Sequence, residues 1–437
     1  MGARSIVRSP TDCIPSFANF TMRGEAPQSR SIVAACGGNV SEDGTLRWGS
    51  AAARPHPHPG RCDRPLSTAG AVARGLLWGG AYTVSEIAIP TEAIGSVPRP
   101  TALVEAIARG DDADSVEPLY EAAVRDTIEQ LEATGSPVVT DGEQKKFHNF
   151  WTYSVQGLPN TSGDGFKIPF AAGHTRRMLR LTGGPFRYMR YADTFLDVAQ
   201  RYAHVPIKQA VISASALSLM YPAEAIPGYS RAEFLDDLVS EHEKEIRLCL
   251  AKGAHKVQVD FTEGRLAIKI DPSGHLLTSF IDLNNLALSR FSAHDRERLG
   301  VHTCPGGDRD STHSADVDYA DLLPSLFRLH VGNFYIALAG ERDRTRILKI
   351  IREHRQPEQR VFVGVVAPID PRIETPQEIC DIVLEAARYI PVDRLGTTDD
   401  CGFSPFSDDT STSRETAFAK IRARVLGTAL AAKAIGG

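Results

Sequence analysis

The chain has 437 residues, of which 42% are hydrophobic and 24% charged, values ordinary for a soluble globular protein. Its formal net charge of -5 gives no reason to expect nucleic acid or an anionic membrane as a partner, and no apolar stretch approaches the ~20 residues that cross a bilayer. The seven cysteines form no dense disulfide framework, so reduced thiols and a cytoplasmic location are predicted.

Residues 1–86 differ in composition from the rest of the chain. They contain nine arginines and no lysine, a His-Pro alternation from Pro55 to Pro59, and no sustained helical or strand period. This composition predicts a poorly ordered extension. The cysteines and histidines of the segment match no zinc-finger spacing and predict no metal site. They are Cys13, Cys36, His56, His58 and Cys62.

From Ile87 to the C-terminus, short β-branched runs alternate with amphipathic helical patterns. The predicted strands are Ile87–Ile94, Pro137–Thr140, Ile207–Ile212, Lys256–Asp260, Leu299–His302, Phe334–Leu338, Val361–Val366 and Arg394–Cys401. The predicted helices lie around Leu103–Ile107, Val116–Leu131, Tyr191–Ala203, Ala232–Ala251, Ile281–Phe291, Leu322–Leu329, Arg344–Ile351, Ile379–Tyr389 and Ala417–Lys433. Eight strands interleaved with helices favour one α/β domain over residues 87–437, a (βα)8 TIM-type barrel, over the alternative of an open doubly wound sheet.

Reactive side chains recur at the ends of these strands. In a (βα)8 barrel all the carboxyl ends of the strands open on one face, where the loops build the active site. Six residues are predicted to meet there: Glu143, Asp260, His302, Cys304, Glu341 and Cys401.

His302 and Cys304 are two residues apart on an extended segment, so their side chains point to the same side. With Cys401 from another strand end, they supply one imidazole and two sulfurs, a donor set that suits Zn²⁺. A lone histidine in a loop and a buried apolar cysteine would be the simpler interpretation of either residue taken singly. The glycine-rich, charged run from Cys304 to His313 is typical of an active-site loop.

Oxygen-bearing side chains are expected around this centre. Glu341 is the candidate fourth ligand, although an acid near a helix N-terminus is also a common structural feature. Glu143 and Asp260 are candidates to bind a cationic amino group, with a salt bridge to the barrel wall as the alternative. Ile94 and Ser96 flank a glycine whose backbone faces the barrel mouth, a place suited to a substrate carboxylate.

Five motifs occur in the order found in the catalytic domain of cobalamin-independent methionine synthase, and the chain resembles the single-barrel members of that family. They are Thr91–Arg99, Asp141–Glu143, Gln258–Asp260, His302–Cys304 and Asp400–Gly402. The resemblance extends over roughly residues 87–433. The combination of His-x-Cys with a distant Asp-Cys-Gly is its most specific part.

The resemblance implies a Zn²⁺-dependent methyltransferase that moves a methyl group from 5-methyltetrahydropteroylglutamate to the thiol of homocysteine, giving methionine. It assigns the zinc to His302, Cys304 and Cys401. It assigns the amino acid part of homocysteine to Ile94, Ser96, Glu143 and Asp260. The implied partners are therefore a small thiol and a methyl donor.

The sequence departs from the family pattern in the half of the site that serves the donor. The glutamate that ligates zinc in the family falls at Ala339, with Glu341 two residues later as the replacement. The general-acid histidine falls near Asp370, which becomes a candidate catalytic residue. Glu263 replaces part of the family's Asp-Glu-Pro motif and is the other catalytic candidate. The aromatic residue that stacks on the folate falls near Ile212.

Two alternatives remain open at this stage. The first is a zinc-dependent alkyltransferase that acts on a different thiol and alkyl donor, as the epoxide–thiol transferases of the same architecture do. The second is a barrel that binds zinc without catalysing a reaction, which the absence of a histidine near Asp370 favours.

Overall fold

The computed structural model describes residues 88–146 and 149–436. The predicted extension over residues 1–86, with its cysteines and histidines, lies outside the described residues. In the part of the chain described, no helix combines the length and the apolar character needed to cross a bilayer.

Six parallel strands form the main sheet. They are the third to eighth strands of the barrel, and each one pairs with the next. In this order they are Lys208–Ile212, Lys256–Asp260, Leu299–Thr303, Asn333–Ile336, Arg360–Val366 and Leu395–Asp399. Nearly every residue of these strands is buried, as expected for strands covered on both faces.

Two short segments complete the barrel in place of regular first and second strands. Thr91 forms a single parallel bridge to Thr397 of the eighth strand, and Val139 forms one to Ile207 beside the third. The two segments meet each other where the backbone N–H of Val97 donates to the carbonyl of Gly142 at 3.2 Å. Pro90 lies inside the first predicted run and Pro137 begins the second, and proline lacks the N–H that a longer ladder needs. The predicted (βα)8 barrel is confirmed, and the open-sheet alternative is wrong.

Helices cover the outside of the barrel. They are Thr101–Arg109, Ala113–Ala133, Asp193–Ala199, Ala214–Ser218, Arg231–Ala251, Glu263–Ile270, His275–Leu288, Ala293–Arg296, Tyr319–Leu326, Arg344–His354, Pro376–Ala386 and Arg414–Gly436, with a 3₁₀ turn at Val392–Arg394. The long central helix begins at a capping box, in which the Ser230 hydroxyl accepts from the N–H of Glu233 and the Glu233 carboxylate accepts from the N–H of Ser230. The sequence patterns missed the helix Glu263–Ile270, which starts directly after the fourth strand.

Small antiparallel hairpins lie beside the mouth of the barrel. The strand pairs are Thr161–Ser162 with Arg180–Leu181, Lys167–Pro169 with Thr175–Arg177, and Gly307–Asp308 with Ser311–Thr312. The insertion after the second barrel segment contacts the loop after the fifth strand, because the N–H of Ala171 donates to the carbonyl of Thr312 at 2.9 Å. Arg176 of the insertion also forms an ion pair with Asp308 of that loop at 2.6 Å. These contacts place the insertion over the end of the barrel where the strands finish.

Candidate active site and metal centre

The fifth and eighth strands bring one imidazole and two thiols together. His302 lies at the end of the fifth strand, Cys304 follows it, and Cys401 follows the eighth strand. The potential ligand atoms of the three residues all lie within 4.8 Å of one another. The two sulfurs are 3.2 Å apart, which exceeds the ~2.05 Å of a disulfide bond. The spacing therefore brings two free thiols close enough to share one ion.

The imidazole of His302 is held in a fixed orientation by its neighbours. Its Nδ1 lies 3.2 Å from Oδ1 of Asp260, and the side-chain amide of Gln258 donates to the same oxygen at 2.8 Å. The other ring nitrogen, Nε2, is buried and has no hydrogen-bond partner among the described residues. A carboxylate on one nitrogen and a free second nitrogen is the arrangement that metal-bound histidines show.

Burial and mutual contact set the protonation of the two thiols. The hydrogen bond between the thiols, reinforced by burial, raises the pKa of Cys304 well above its usual value. The same hydrogen bond lowers the pKa of Cys401 to about 7, against the effect of burial. The pair can therefore release one proton near neutral pH, and a nitrogen and two sulfurs of this kind fit a thiophilic divalent ion such as Zn²⁺.

The residues predicted to bind the acceptor line a single cleft. Ile94, Ser96, Glu143 and Asp260 all border it, together with His302 and Cys401. The cleft therefore places the thiol pair beside the groups predicted for a substrate carboxylate and ammonium.

Two motif glycines lie directly against polar side chains of the site. A Cβ at Gly95 would lie 2.6 Å from Oε1 of Glu143. A Cβ at Gly402 would overlap the hydroxyl of Ser96, so both motif glycines make room for a polar group of the site.

Glu143 lies in an unusual electrostatic environment. The residue has a positive φ of 57°, and its carboxylate lies 3.4 Å from the buried ammonium of Lys146. Burial raises the pKa of Glu143 to about 7, and Asp260 adds to this effect whereas Lys146 opposes it. Glu143 can therefore change its protonation near neutral pH, close to the carboxylate of Asp260 and the ammonium of Lys146.

Two of the other predicted residues lie apart from this cluster. The carboxylate of Glu341 pairs with the guanidinium of Arg265. Glu341 borders a second cleft that also reaches Cys401, but it does not belong to the cluster of potential metal ligands. Asp370 borders a third cleft on the outer side of the sixth and seventh strands, where its Oδ1 accepts from the N–H of Arg372 at 2.9 Å. In this arrangement neither Glu341 nor Asp370 reaches the thiols of Cys304 and Cys401.

Glu263, the other catalytic candidate, faces a network of serines. Its Oε1 accepts from the hydroxyl of Ser213 at 2.6 Å and from that of Ser215, and its Oε2 has no hydrogen-bond partner among the described residues. Burial raises its pKa to about 7, although both serine hydrogen bonds act in the opposite direction. It does not border the cleft, whereas the preceding residue, Thr262, does.

Sequence reasoning missed the aromatic residues of the cleft. Phe150, Trp151, Phe170 and Phe406 line it with His313 of the loop after the fifth strand. The run Phe147–Trp151 is unusually aromatic for a polar insertion, and this signal was available in the sequence. No spacing pattern showed that Phe406 would join it from a loop more than 250 residues away.

A family model agrees with the site. Residues 228–423 match the model described as the catalytic domain of cobalamin-independent synthase. This range contains the fourth to eighth strands and the three clustered potential ligands. The match confirms the family resemblance that the motifs predict.

Individual relatives are distant. A 5-methyltetrahydropteroyltriglutamate–homocysteine methyltransferase of Nitratidesulfovibrio vulgaris is 23% identical over 72% of this chain, and the match spans only 38% of that relative. A methionine synthase of Thermococcus kodakarensis is 22% identical over 72% of this chain and 86% of its own length. The solved structure of a B12-independent methionine synthase from Shewanella superposes with a TM-score of 0.64 at 18% identity, over 79% of this chain and 98% of the other. At this identity the structural likeness shows the fold alone.

Proposed function

We propose that this chain is a zinc-dependent methyltransferase that methylates the thiol of homocysteine and so forms methionine. The observation that carries the proposal is that His302, Cys304 and Cys401 converge beside the cleft bordered by the predicted acceptor-binding residues. The family match and the names of the relatives support the same reaction class. The proposal treats residues 87–437 as one catalytic domain, and it implies a reducing compartment such as the cytoplasm, because the thiols must stay reduced.

His302, Cys304 and Cys401 would hold the metal. When bound, Zn²⁺ supplies positive charge that increases the thiolate fraction of an incoming thiol at neutral pH. The contact between the Asp260 carboxylate and Nδ1 orients the imidazole of His302. Its Nε2 therefore points away from that carboxylate and is available as a ligand. Glu341 remains the proposed fourth ligand, and in that role it must leave its ion pair with Arg265.

The chain's own residues would position the amino acid part of the acceptor. The hydroxyl of Ser96 accepts from the N–H of Ser404 at 3.3 Å and retains its own proton for a substrate carboxylate. The His302 and Gln258 contacts occupy Oδ1 of Asp260, which leaves Oδ2 for an ammonium. Holding the acceptor in one orientation lets its thiol meet the methyl donor within a bound complex, which lowers the entropic cost of the reaction.

Replacement of Cys401 by serine tests the proposal. A serine hydroxyl is a poor zinc ligand, so the purified variant should contain much less than one zinc per chain and should form no methionine from homocysteine. Metal emission spectrometry and a methionine assay with 5-methyltetrahydropteroyltriglutamate, the donor predicted by the resemblance, provide the measurements. Cys249→Ser, a buried cysteine in the helix Arg231–Ala251, is the matched control. Zinc near one per chain in Cys401→Ser would contradict the assignment.

A zinc-binding barrel without catalysis is the second candidate, since Glu263 and Asp370 both lie outside the cleft. Calorimetry separates the two functions. Tight binding of homocysteine without turnover by any methyl donor would favour the non-catalytic protein.

A further inference from the structure

The cleft is too small, in this structure, for the acceptor that the proposed function assigns to it. Its volume is ≈ 30 Å³, and a single water molecule already needs about 10–15 Å³. An amino acid is several times larger than a water molecule. The residues proposed to hold its two charged ends, Ser96 and Asp260, are both buried. The cleft must therefore open before homocysteine can enter, and again before methionine can leave.

Two other cavities adjoin the cleft, and each shares two residues with it. The second cleft meets it at Gly307 and Cys401, beside the potential metal ligands, where a methyl donor has to reach the acceptor sulfur. An outer groove of ≈ 450 Å³ meets it at Trp151 and Phe406. Arg176, Arg177 and Asp408 are among the other residues that line this groove. With the donor on the side of the second cleft, the outer groove is the route left for the acceptor.

Phe406 is the movable part of the wall between the groove and the cleft. Its backbone is fixed, because it forms a bridge to Asn149 and the carbonyl of Pro405 accepts from the N–H of Phe150 at 3.2 Å. Its ring is held by the guanidinium of Arg176, which lies 4.1 Å from the ring centroid. Rotation of this one ring would join the groove to the cleft without any rearrangement of the backbone. Arg176 blocks that rotation as long as it stays on the ring.

Two carboxylates hold Arg176 in place, and they differ in exposure to solvent. Nε and Nη2 of Arg176 donate to the two oxygens of Asp308 at 2.6 and 2.9 Å, and the Asp308 side chain is fully buried. Nη1 and Nη2 donate to Asp408 at 3.1 and 2.8 Å, but the Asp408 side chain is 49% exposed. Ion pairs that water reaches are weak and are screened by salt. The contact with Asp408 is therefore the one that can break, and its loss frees the guanidinium to move off the ring.

A strained turn competes with Arg176 for the same carboxylate. Arg309 and Asp310 have positive φ values of 48° and 55°, although neither residue is glycine. The guanidinium of Arg309 donates to Asp408 at 2.6 Å, and its backbone N–H donates to Asp409 at 3.1 Å. Such backbone strain persists where surrounding contacts hold it, often in segments that switch between states. Because Arg309 can keep Asp408 paired when Arg176 leaves, opening strands no carboxylate without a cation.

We propose that Phe406 is the gate of the cleft and that Arg176 is the latch that keeps it closed. The inference rests on the proposed function, because the gate serves the passage of homocysteine and methionine. While Arg176 is paired with Asp408, the ring closes the wall. When this pair breaks, the ring turns, and the outer groove and the cleft become one space. A gate changes the rates of binding and release and leaves the equilibrium between them unchanged.

Asp408→Asn tests the latch, because it removes an exposed carboxylate and leaves the buried anchor at Asp308 intact. Stopped-flow mixing of the zinc-loaded, full-length protein with homocysteine gives both rate constants from tryptophan fluorescence, since Trp151 lies in the wall. Asp408→Asn should raise the association and dissociation rate constants by the same factor, about two- to fivefold, with Kd unchanged. The matched control is Asp164→Asn, which removes the exposed partner of Arg180 in the same insertion and should keep both rate constants.

Salt and a second substitution give independent measurements. Sodium chloride screens the exposed pair, so it should accelerate binding and release in the wild type and far less in Asp408→Asn. Phe406→Ala removes the ring and should accelerate both steps more than Asp408→Asn does. Wild-type rate constants in both variants, or an equal acceleration in Asp164→Asn, would overturn the gate and leave the proposed function standing. A change in Asp408→Asn confined to dissociation would also overturn it, because that pattern indicates a lost contact with homocysteine. If homocysteine does not bind the wild type at all, the proposed function fails, and the gate with it.

Discussion

At the residue scale, Asp260 illustrates what spacing in the sequence can and cannot predict. Its position at the end of a predicted strand indicated that it would face the barrel mouth, and the structure places it in the cleft. The sequence did not indicate that it would also hold the imidazole of His302. Glu341 shows the opposite case, because its partner Arg265 lies in a helix that no pattern predicted. Side-chain pairing between loops depends on tertiary structure that local spacing does not encode.

Glu263 provides a prediction on pH and stability. Its pKa is raised from 4.5 in the unfolded chain to about 7 in the folded protein. The folded state therefore holds a proton that the unfolded state lacks between these values, and stability falls as pH rises through this window. Glu263→Gln stays neutral and should be more stable than the wild type at pH ~8.5, by up to about 3 kcal/mol. Urea unfolding should show that the difference in free energy of unfolding between Glu263→Gln and the wild type becomes smaller toward pH 4.5.

The matched control for Glu263→Gln is Glu353→Gln, at an exposed position. If Glu353→Gln shows the same pH-dependent difference in stability from the wild type, the raised pKa of Glu263 does not explain the effect. The kcat of Glu263→Gln also tests the predicted catalytic role. If the carboxyl has only a structural role, the variant should keep its turnover.

At the element scale, the regular strands and long helices follow from the sequence, but the closure of the barrel does not. Six strands were predicted from short runs rich in β-branched and other apolar residues, and nearly all of their residues are buried, as in strands covered on both faces. The first two segments each contain a proline and pair with the neighbouring strands through single bridges at Thr91 and Val139. The helix Glu263–Ile270 escaped prediction because it is only eight residues long and starts directly after a strand.

The C-terminal helix is fixed to the barrel by an ion pair that can be tested. Arg424 lies 2.6 Å from Oδ2 of Asp399, both side chains are buried, and the same oxygen accepts from the N–H of Ile94 at 3.3 Å. Arg424→Leu leaves the carboxylate buried without its cation and should destabilise the protein by about 3–5 kcal/mol in chemical unfolding. Arg422→Leu, at an exposed position of the same helix, should change stability far less. Equal effects of the two substitutions would show that the ion pair adds no stability.

At the scale of the whole molecule, the proposed metal joins distant parts of the chain. Cys304 and Cys401 are separated by 97 residues and belong to the ends of the fifth and eighth strands. Zinc that binds only the folded barrel should stabilise it by roughly 2.7 kcal/mol at about a hundredfold excess over Kd. Thermal unfolding of the metal-free protein should therefore shift to higher temperature on addition of zinc. Magnesium, which prefers oxygen ligands, should have little effect, and an equal shift with both ions would contradict a sulfur-rich site.

The weak closure of the barrel has a consequence for the order in which the molecule loosens. The segments that carry Ser96 and Glu143 join the remaining strands through a single bridge on each side, whereas the fifth strand, which carries His302, lies inside the six-stranded sheet and the eighth, which precedes Cys401, lies at its edge. Amide protons along this seam should exchange with solvent sooner than those of the ladder. On warming, the proposed binding site for the amino acid should then loosen before the part of the proposed metal centre that the fifth strand carries.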